Sequence, residues 1–228
     1  HFIRSYNPTA KPSEADLDKA VNLINGAKKP LVVYGQGVIL SHAENELSEF
    51  ITKGNIPAGS TMLGLSALPN SHPLYMGMIG MHGNIAPNVK TNACDMLIAI
   101  GMRFDDRVTG VVSKYARQAK VLHIDIDAAE IGKIVPVEVG LLGDAAEVLR
   151  QLIAKMKKGN HKEWIESFED CKALEMEKVI RPELEPEEDI ITMGEVVDMV
   201  SKISENQAIV VTDVGHNHLM AARYSRFN

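Results

Sequence analysis

The chain has 228 residues, of which 45% are hydrophobic and 24% charged, and this composition predicts a globular protein with a large buried core. Its formal net charge is −6 and its lysines and arginines are dispersed, which argues against a nucleic-acid or anionic-membrane surface. The two cysteines form no CxxC pair, and no apolar run has the length needed to cross a bilayer. We therefore expect a cytoplasmic protein with no nucleic-acid or membrane partner.

Predicted helices and strands alternate along the first 159 residues. Residues 1–12 show no periodicity and predict a lead-in linker, and the start at His1 indicates a piece of a longer polypeptide. Ser13 precedes apolar residues at helical spacing and predicts the start of a helix. The apolar run 30–34 predicts a buried strand, which ends in a glycine turn before a second helix with Ser41 as its cap.

The same alternation continues through the middle of the chain. Strands are predicted at 56–60, 96–100, 120–127 and 137–142, and helices at 84–92, 108–115 and 145–157. Residues 76–83 are rich in glycine and methionine and predict a loop. Together these elements predict an α/β fold, a doubly wound parallel sheet with right-handed crossovers, in a domain that covers residues 13–159.

The remaining residues predict a linker and the beginning of a second domain. Residues 160–191 hold a predicted helix and then an acidic, proline-punctuated segment. Thr192 predicts the cap of another helix, and residues 208–212 predict a strand. Residues 192–228 are therefore expected to open a domain that the chain does not complete.

A dense group of charges follows the predicted strand 96–100. It comprises Arg103, Asp105, Asp106 and Arg107. Ligands of open α/β sheets bind at the carboxyl ends of the strands, and a guanidinium at such a place requires an anionic or planar partner. The group is either an internal set of ion pairs or a contact with a nucleotide or acidic substrate, and its density favours the ligand.

Polar residues and glycines follow the neighbouring strands as well. The turn Gly35-Gln36-Gly37 permits close approach of a phosphate or sugar, but Leu40 replaces the third glycine of a dinucleotide fingerprint, and a turn without a ligand is an equal alternative. His82-Gly83 fits an adaptable pocket or a core loop. Asp125-Ile126-Asp127 and Gly143-Asp144 fit either recognition of a ribose or adenine, or helix capping.

No catalytic or metal-binding group can be assembled from the spacing of residues. His216 and His218 form the only close histidine pair, and the sequence offers them no third ligand. We therefore expect no metal site and assign no catalytic residue, since the chain carries binding chemistry more clearly than catalytic chemistry.

Several strings resemble the catalytic (large) subunit of the acetolactate synthase, or acetohydroxyacid synthase, family of thiamine-diphosphate enzymes. They are GSTMLGLSALP (59–69), MGMIGMHGNIAPN (76–88), IGMRFDDRVTG (100–110), HIDIDAAEIGK (123–133), VEVGLLGD (137–144) and VVTDVG (210–215). Their order and spacing match across nearly the whole chain. The resemblance implies a Rossmann-like, FAD-binding central domain followed by the start of the carboxyl-terminal thiamine-diphosphate-binding domain.

The resemblance also implies roles for individual residues. FAD, in a structural role, would contact Gly35, Gln36, Gly37, Thr61, Met62, Leu63, His82, Gly83, Gly101, Arg103, Asp105, Asp125, Ile126, Glu130, Gly143 and Asp144. Asp106 and Arg107 would border the channel for substrate and inhibitors. Gly215, His216 and Asn217 would contact thiamine diphosphate. They lie in the segment Gly215-His216-Asn217-His218, where the family usually has Gly-Gln-His-Gln or an asparagine variant.

The family condenses two 2-keto acids, pyruvate with pyruvate or 2-ketobutyrate, with loss of CO2 in branched-chain amino acid biosynthesis. The resemblance thus implies thiamine diphosphate and Mg2+ as further cofactors, a homo-oligomer and a regulatory small subunit. The activating glutamate and the Mg2+-diphosphate motif of the family lie outside the matched strings, so we expect the isolated chain to be inactive. Alternatives are the central domain of a pyruvate oxidase or glyoxylate carboligase, a non-catalytic nucleotide-binding module and, less favoured by the glycine pattern, a nicotinamide-dependent dehydrogenase.

Overall fold

A computed structural model describes residues 11–188 and 190–227, so the predicted lead-in of residues 1–12 falls almost entirely outside the described residues. The strands are Pro30–Tyr34 (β1), Ala58–Ser60 (β2), Tyr75–Met78 (β3), Met96–Ile100 (β4), Lys120–Asp125 (β5) and Val139–Leu142 (β6). They form one sheet in the order β3-β2-β1-β4-β5-β6, and every neighbouring pair is parallel. The predicted doubly wound parallel sheet is confirmed.

Short helices connect and flank the strands. The α-helices are Glu14–Gly26 (α1), Gln36–Leu40 (α2), Glu44–Gly54 (α3), Ile85–Thr91 (α4), Asp106–Thr109 (α5), Ala145–Lys155 (α6), Lys162–Glu166 (α7), Glu169–Glu175 (α8), Arg181–Leu184 (α9), Met193–Ile203 (α10) and His216–Tyr224 (α11). Single 3-10 turns lie at Met62–Gly64 and Val112–Lys114, and a π-helical segment at Met176–Ile180. As predicted, Ser13 caps α1, and Thr192 caps α10 through a capping box with Glu195.

The core lies on both faces of the sheet. Every residue of β1 and β4 is buried. One face packs against α1, α3 and α6 through residues such as Leu17, Leu47 and Leu149. The other face is covered by α4 and by Trp164 and Phe168, and the Trp164 indole nitrogen donates a 2.8 Å hydrogen bond to the carbonyl of Pro30. Two-sided burial explains why the central strands are continuous apolar runs in the sequence.

One strand was missed by the sequence analysis, which treated residues 76–83 as a loop. Tyr75–Met78 pairs with β2 in parallel, with an irregular register between Ala58 and Ser60. Gly77 adopts a positive φ of 102° inside this strand. Glycine weakens the interior of a strand, so the glycine-rich composition of residues 76–83 points to a loop.

The prediction that Ser41 caps the second helix was wrong. The cap position of α3 is Ala43, whose side chain makes no capping hydrogen bond, and Ser41 instead ends the short helix α2. The Ser41 hydroxyl donates to a carboxylate oxygen of Asp144 at 2.7 Å and accepts from the amide of Ala146 at 2.9 Å. The extra helix α2 displaces the start of α3 and frees Ser41 for this long-range contact.

The predicted strand at residues 208–212 does not form. Ile209 and Val211 are 92% and 87% exposed, and no strand of the described ranges pairs with this segment. The segment is rich in β-branched residues, which favour strands, but a strand also requires a neighbour for its backbone hydrogen bonds.

Candidate functional site

A cleft opens at the carboxyl ends of β1 and β4, where the strand order reverses direction. From β1 the chain proceeds to β2 and β3 on one side and returns to β4 on the other. In doubly wound sheets this switch point is the usual ligand site, because the loops after the two strands lead away in opposite directions. The cleft has a volume of about 820 Å³, which is within the range of small-molecule sites.

Most residues that the sequence analysis proposed for a dinucleotide line this cleft. They are Gln36, Gly37, Thr61, Met62, Leu63, Gly101, Arg103, Asp105, Asp125, Ile126, Glu130, Gly143 and Asp144, and they are joined by Arg107 of the proposed channel pair. Sequence reasoning missed Leu40, Ser41, Met102, Val108, Ile124 and Ala145. Five of these six are apolar and carry no signal that separates a cleft wall from core.

The floor of the cleft is a backbone contact between two glycine turns. The amide of Gly37 donates a 2.8 Å hydrogen bond to the carbonyl of Gly101. A Cβ atom on Gly37 would lie 2.6 Å from the Cα of Gly101, whose φ of 55° also favours glycine. Gly35 does not line the cleft, and a Cβ there would lie 2.6 Å from the Cβ of Met102. These glycines are therefore explained first by close packing, which leaves bare backbone at the cleft floor.

Arg103 presents a largely free guanidinium on one side of the cleft. Its side chain is 72% exposed, and its Nε donates to a carboxylate oxygen of Asp105 at 3.2 Å. The other Asp105 oxygen accepts from the amides of Arg107 (3.1 Å) and Val108 (3.2 Å), so Asp105 caps α5. The terminal nitrogens of Arg103 have no hydrogen-bond partner among the described residues. The ion pair expected from the sequence exists, and it leaves the outer edge of the guanidinium available to an anion.

Asp125 supplies a carboxylate on another side of the cleft. One oxygen accepts from the amide of Asp127 at 2.9 Å, and the other lies 3.8 Å from Nε2 of His123. Burial raises the pKa of Asp125 above its ordinary value, against the opposing effects of the Asp127 amide and His123. Glu130, nearby on the cleft wall, forms a 2.7 Å ion pair with Lys133. These oxygens are acceptors for the hydroxyl groups of a sugar.

His123 lies fully buried beneath the cleft and was not proposed as a site residue. Its Nε2 is 2.9 Å from the carbonyl oxygen of Met102, and Phe104 packs edge-on against its ring with centroids 5.2 Å apart. Burial lowers the pKa of His123, so the ring is neutral and Nε2 is the donor. His123 therefore fixes the backbone of Met102, a cleft residue. A single histidine in an apolar strand gives no sequence signal for that role.

The first turn of α6 closes a further side of the cleft. Asp144 caps this helix by accepting from the amide of Glu147 at 3.2 Å, and the amide of Gly143 donates to the Asp125 carbonyl at 2.9 Å. Of the two alternatives for Gly143-Asp144, helix capping is observed, and both residues also line the cleft.

The other proposed binding residues lie outside this cleft. They are Gly35, His82, Gly83, Gly215, His216 and Asn217, together with Asp106 of the channel pair. The carbonyl oxygens of His82 and Gly83 accept hydrogen bonds from Arg223. Gly215 to Asn217 are exposed at the start of α11, and Asp106 is exposed in α5.

The described part of the chain holds neither a metal-binding cluster nor a membrane-spanning helix. No group of three or more His, Cys, Asp or Glu side chains there is arranged to hold a metal ion. Within residues 11–188 and 190–227, no helix combines the length and apolar character needed to span a membrane.

Comparison with known proteins identifies the family. Residues 17–152 match the family model described as the thiamine pyrophosphate enzyme, central domain. The chain belongs to this family. The matched residues 17–152 include all six strands and the whole lining of the cleft.

Among curated proteins, the chain is similar to acetolactate synthase large subunits. It is 40% identical to that of Corynebacterium glutamicum, over 99% of this chain and 36% of the relative. It is 35% identical to that of Buchnera aphidicola subsp. Schizaphis graminum, over 99% of this chain and 39% of the relative. Identity to the isozyme 3 large subunit of Escherichia coli K12 is 32%, over 99% and 40%. The chain thus spans about two fifths of the length of these relatives.

Proposed function

We propose that this chain is part of an acetolactate synthase type of enzyme and that its cleft holds FAD in a structural role. The observation that carries the proposal is the cleft at the switch point, with a glycine backbone floor, a free guanidinium edge at Arg103 and a carboxylate at Asp125. Similarity to the large subunits supports the choice of enzyme.

The lining of the cleft fits the chemical parts of a dinucleotide. Arg103 offers charge-assisted donors for a pyrophosphate, and the absence of side chains at Gly37 and Gly101 lets the two turns pack closely and leaves their backbone at the cleft floor. Asp125 and Glu130 offer acceptors for ribose hydroxyls. Leu40, Met102 and Val108 add apolar surface suited to a flat ring system.

The chain's contribution to the reaction would be to bind and orient. Thiamine diphosphate, when bound, stabilises the carbanion left when a 2-keto acid loses CO2. The exposed residues Gly215, His216 and Asn217 are our candidates for contacting it, and Asp106 and Arg107 for bordering the approach of the 2-keto acid substrates. We assign Mg2+ to the Mg2+-diphosphate motif of the family, which lies outside the strings matched in this chain.

The assembly and location are proposed on the same grounds. We propose a homo-oligomer that works with a regulatory small subunit in the cytoplasm, and the similarity to large subunits supports this. We also propose that the central domain covers residues 13–159, that a helix and linker follow at 160–191, and that the carboxyl-terminal domain begins with residues 192–228.

The test is an acetolactate assay with pyruvate, thiamine diphosphate, Mg2+ and FAD. We expect the polypeptide that carries this chain to form acetolactate, and to lose activity when thiamine diphosphate is omitted. The isolated 228-residue chain should form none. Oxygen consumption without acetolactate would contradict the proposal in favour of an oxidase. Acetolactate formed by the isolated chain would contradict the expectation that this chain alone is inactive.

A further inference from the structure

A buried polar cluster lies outside the cleft and joins three separate segments of the chain. We call it the Arg223 cluster, and it consists of Arg223, Glu175, Asn84 and the backbone of His82 and Gly83. One terminal nitrogen of Arg223 donates to the carbonyl oxygens of His82 (3.0 Å) and Gly83 (2.9 Å), and the other pairs with Glu175. The Arg223 and Glu175 side chains are only 15% and 7% exposed.

The remaining polar groups of the cluster are also paired. Glu175 accepts from the Asn84 amide side chain at 2.8 Å and from the backbone amide of Ile85 at 3.0 Å. The Asn84 side-chain oxygen accepts from the amide of Met78 at 2.7 Å. A buried ion pair is tolerated only when geometry and further hydrogen bonds satisfy both charges, and removing one partner leaves the other uncompensated. The cluster therefore specifies one arrangement of α8, α11 and the loop after β3.

The loop held by Arg223 is seated against the wall of the cleft. The amide of Met81 donates to the carbonyl of Arg107 at 2.7 Å, and a Cβ on Gly80 would lie 2.7 Å from the same oxygen. Arg107 lines the cleft. The loop is thus fixed on one side to the cleft wall and on the other to α11.

Helix α11 is also attached outside the cluster, since it packs against α10 and the His218 ring in its first turn lies against the sulfur of Met62. Its buried residues are Ala221 and Tyr224, near its carboxyl end, and its first residues are exposed. Arg223 and His216 are seven residues apart, which is about 10 Å along a helix. The direction of the exposed end is therefore set by how the carboxyl-terminal half is held, together with the contact of His218 with Met62.

We propose that Arg223 is a positioning residue that fixes α11 to the cleft wall through the loop and so directs Gly215, His216 and Asn217 toward thiamine diphosphate. The assignment of thiamine diphosphate to this helix end rests on the proposed function. The fixing of the helix rests on the contacts of the cluster alone. The two parts therefore have separate tests.

The first test measures amide hydrogen exchange without ligand in the polypeptide that carries this chain. In Arg223→Gln we expect exchange in residues 80–85 and 216–224 to be at least about tenfold faster, while α6 is unchanged. Exchange in Arg223→Lys should be intermediate. Lysine keeps the charge but lacks the planar guanidinium that can donate to two carbonyls and a carboxylate at the same time. The matched control is Arg150→Gln, since Arg150 is 61% exposed and pairs with Glu46.

The second test titrates thiamine diphosphate and FAD into the same variants. We expect Arg223→Gln to bind thiamine diphosphate about tenfold more weakly, the order of loss known for residues that orient metal ligands, with FAD affinity within about twofold of the native value. Arg223→Lys should recover part of the loss.

The outcomes separate the inference from the proposed function. Exchange in Arg223→Gln equal to that in Arg150→Gln overturns the positioning role. Faster exchange with unchanged thiamine diphosphate affinity overturns its link to the cofactor. If the native protein binds no thiamine diphosphate, the proposed function fails and exchange still decides the positioning role. If Arg223→Gln does not fold, the same comparisons are made with Arg223→Lys.

Discussion

The amide of Gly37 donates a 2.8 Å hydrogen bond to the carbonyl of Gly101, which joins the turns after β1 and β4 directly. The two strands are neighbours in the sheet, with Tyr34 opposite Ile100 at their carboxyl ends. Backbone atoms therefore set the floor of the cleft. Side chains of other loops form its walls.

Gly37→Ala should destabilise the protein. The added methyl group would lie 2.6 Å from the Cα of Gly101, so the two turns must separate. We expect a cost of about 1–3 kcal/mol in the free energy of unfolding, measured by denaturant titration, together with weaker FAD binding. Gly26→Ala is the control, because a Cβ at that helix end meets nothing within 4 Å. Equal stabilities for the two variants would count against the packing argument.

Arg103→Ala should weaken FAD binding and leave stability almost unchanged. The Arg103 side chain is 72% exposed, so its ion pair with Asp105 contributes less than about 1 kcal/mol to folding, whereas a charge-assisted contact with a pyrophosphate adds directly to affinity. Fluorescence titration with FAD measures the effect. Arg150→Ala, which removes another exposed arginine away from the cleft, is the control. FAD affinity unchanged in Arg103→Ala would leave Arg103 as an ion-pair residue only.

His123 should make stability depend on pH. Burial lowers its pKa from the ordinary value of 6.5, so just below that value the unfolded chain binds more protons than the folded one. Its contribution to stability is full above pH 6.5 and is lost as the pH falls toward the folded-state pKa. The contribution of Asp125 to stability changes with pH in the opposite direction. Burial raises the pKa of Asp125 from 3.8, so this contribution is lost as the pH rises.

The variant His123→Gln tests this dependence. Glutamine keeps a donor near the Nε2 position for the Met102 carbonyl but does not titrate. We expect the difference in thermal midpoint between about pH 7.5 and about pH 6 to shrink in this variant. The exposed His42, whose φ of 50° asparagine tolerates, supplies the control His42→Asn, which should keep the native difference. An unchanged difference in His123→Gln contradicts the prediction.

The two cysteines should differ in reactivity. Burial raises the pKa of Cys94 to about 12, and its thiol donates to the Thr91 carbonyl. Cys171 is only partly buried. Because the thiolate is the reactive form, iodoacetamide at neutral pH should add one group to the native protein, at Cys171, and two after denaturation. Mass spectrometry reads both values, and rapid native labelling of Cys94 would refute the prediction.

Sequence patterns predicted the sheet and most of the cleft because both depend on local signals. Apolar runs mark the buried parallel strands, and the charges and glycines that follow Ile100 and Asp125 mark their carboxyl ends. Local patterns do not predict an element whose formation depends on a partner distant in the sequence. Tyr75–Met78 becomes a strand only by pairing with β2, whereas residues 208–212 have strand propensity without a partner in the described chain.

The same reasoning separates the site residues that were found from those that were missed. Charged residues after strands are visible in a sequence, but Met102 and Ile124 are indistinguishable from core residues until the cleft is seen. The contact of Ser41 with Asp144 spans 103 residues, and no local pattern encodes it. Arg223 and Glu175 likewise come together from segments 48 residues apart.

The most direct test of the central claim is to identify what the cleft holds. The purified polypeptide that carries this chain is incubated with FAD and NAD together, freed of unbound ligand by gel filtration and then denatured, and the released small molecule is identified by absorbance and mass. We expect release of FAD in an amount about equimolar to the chain. Release of NAD, or of neither molecule, would contradict it.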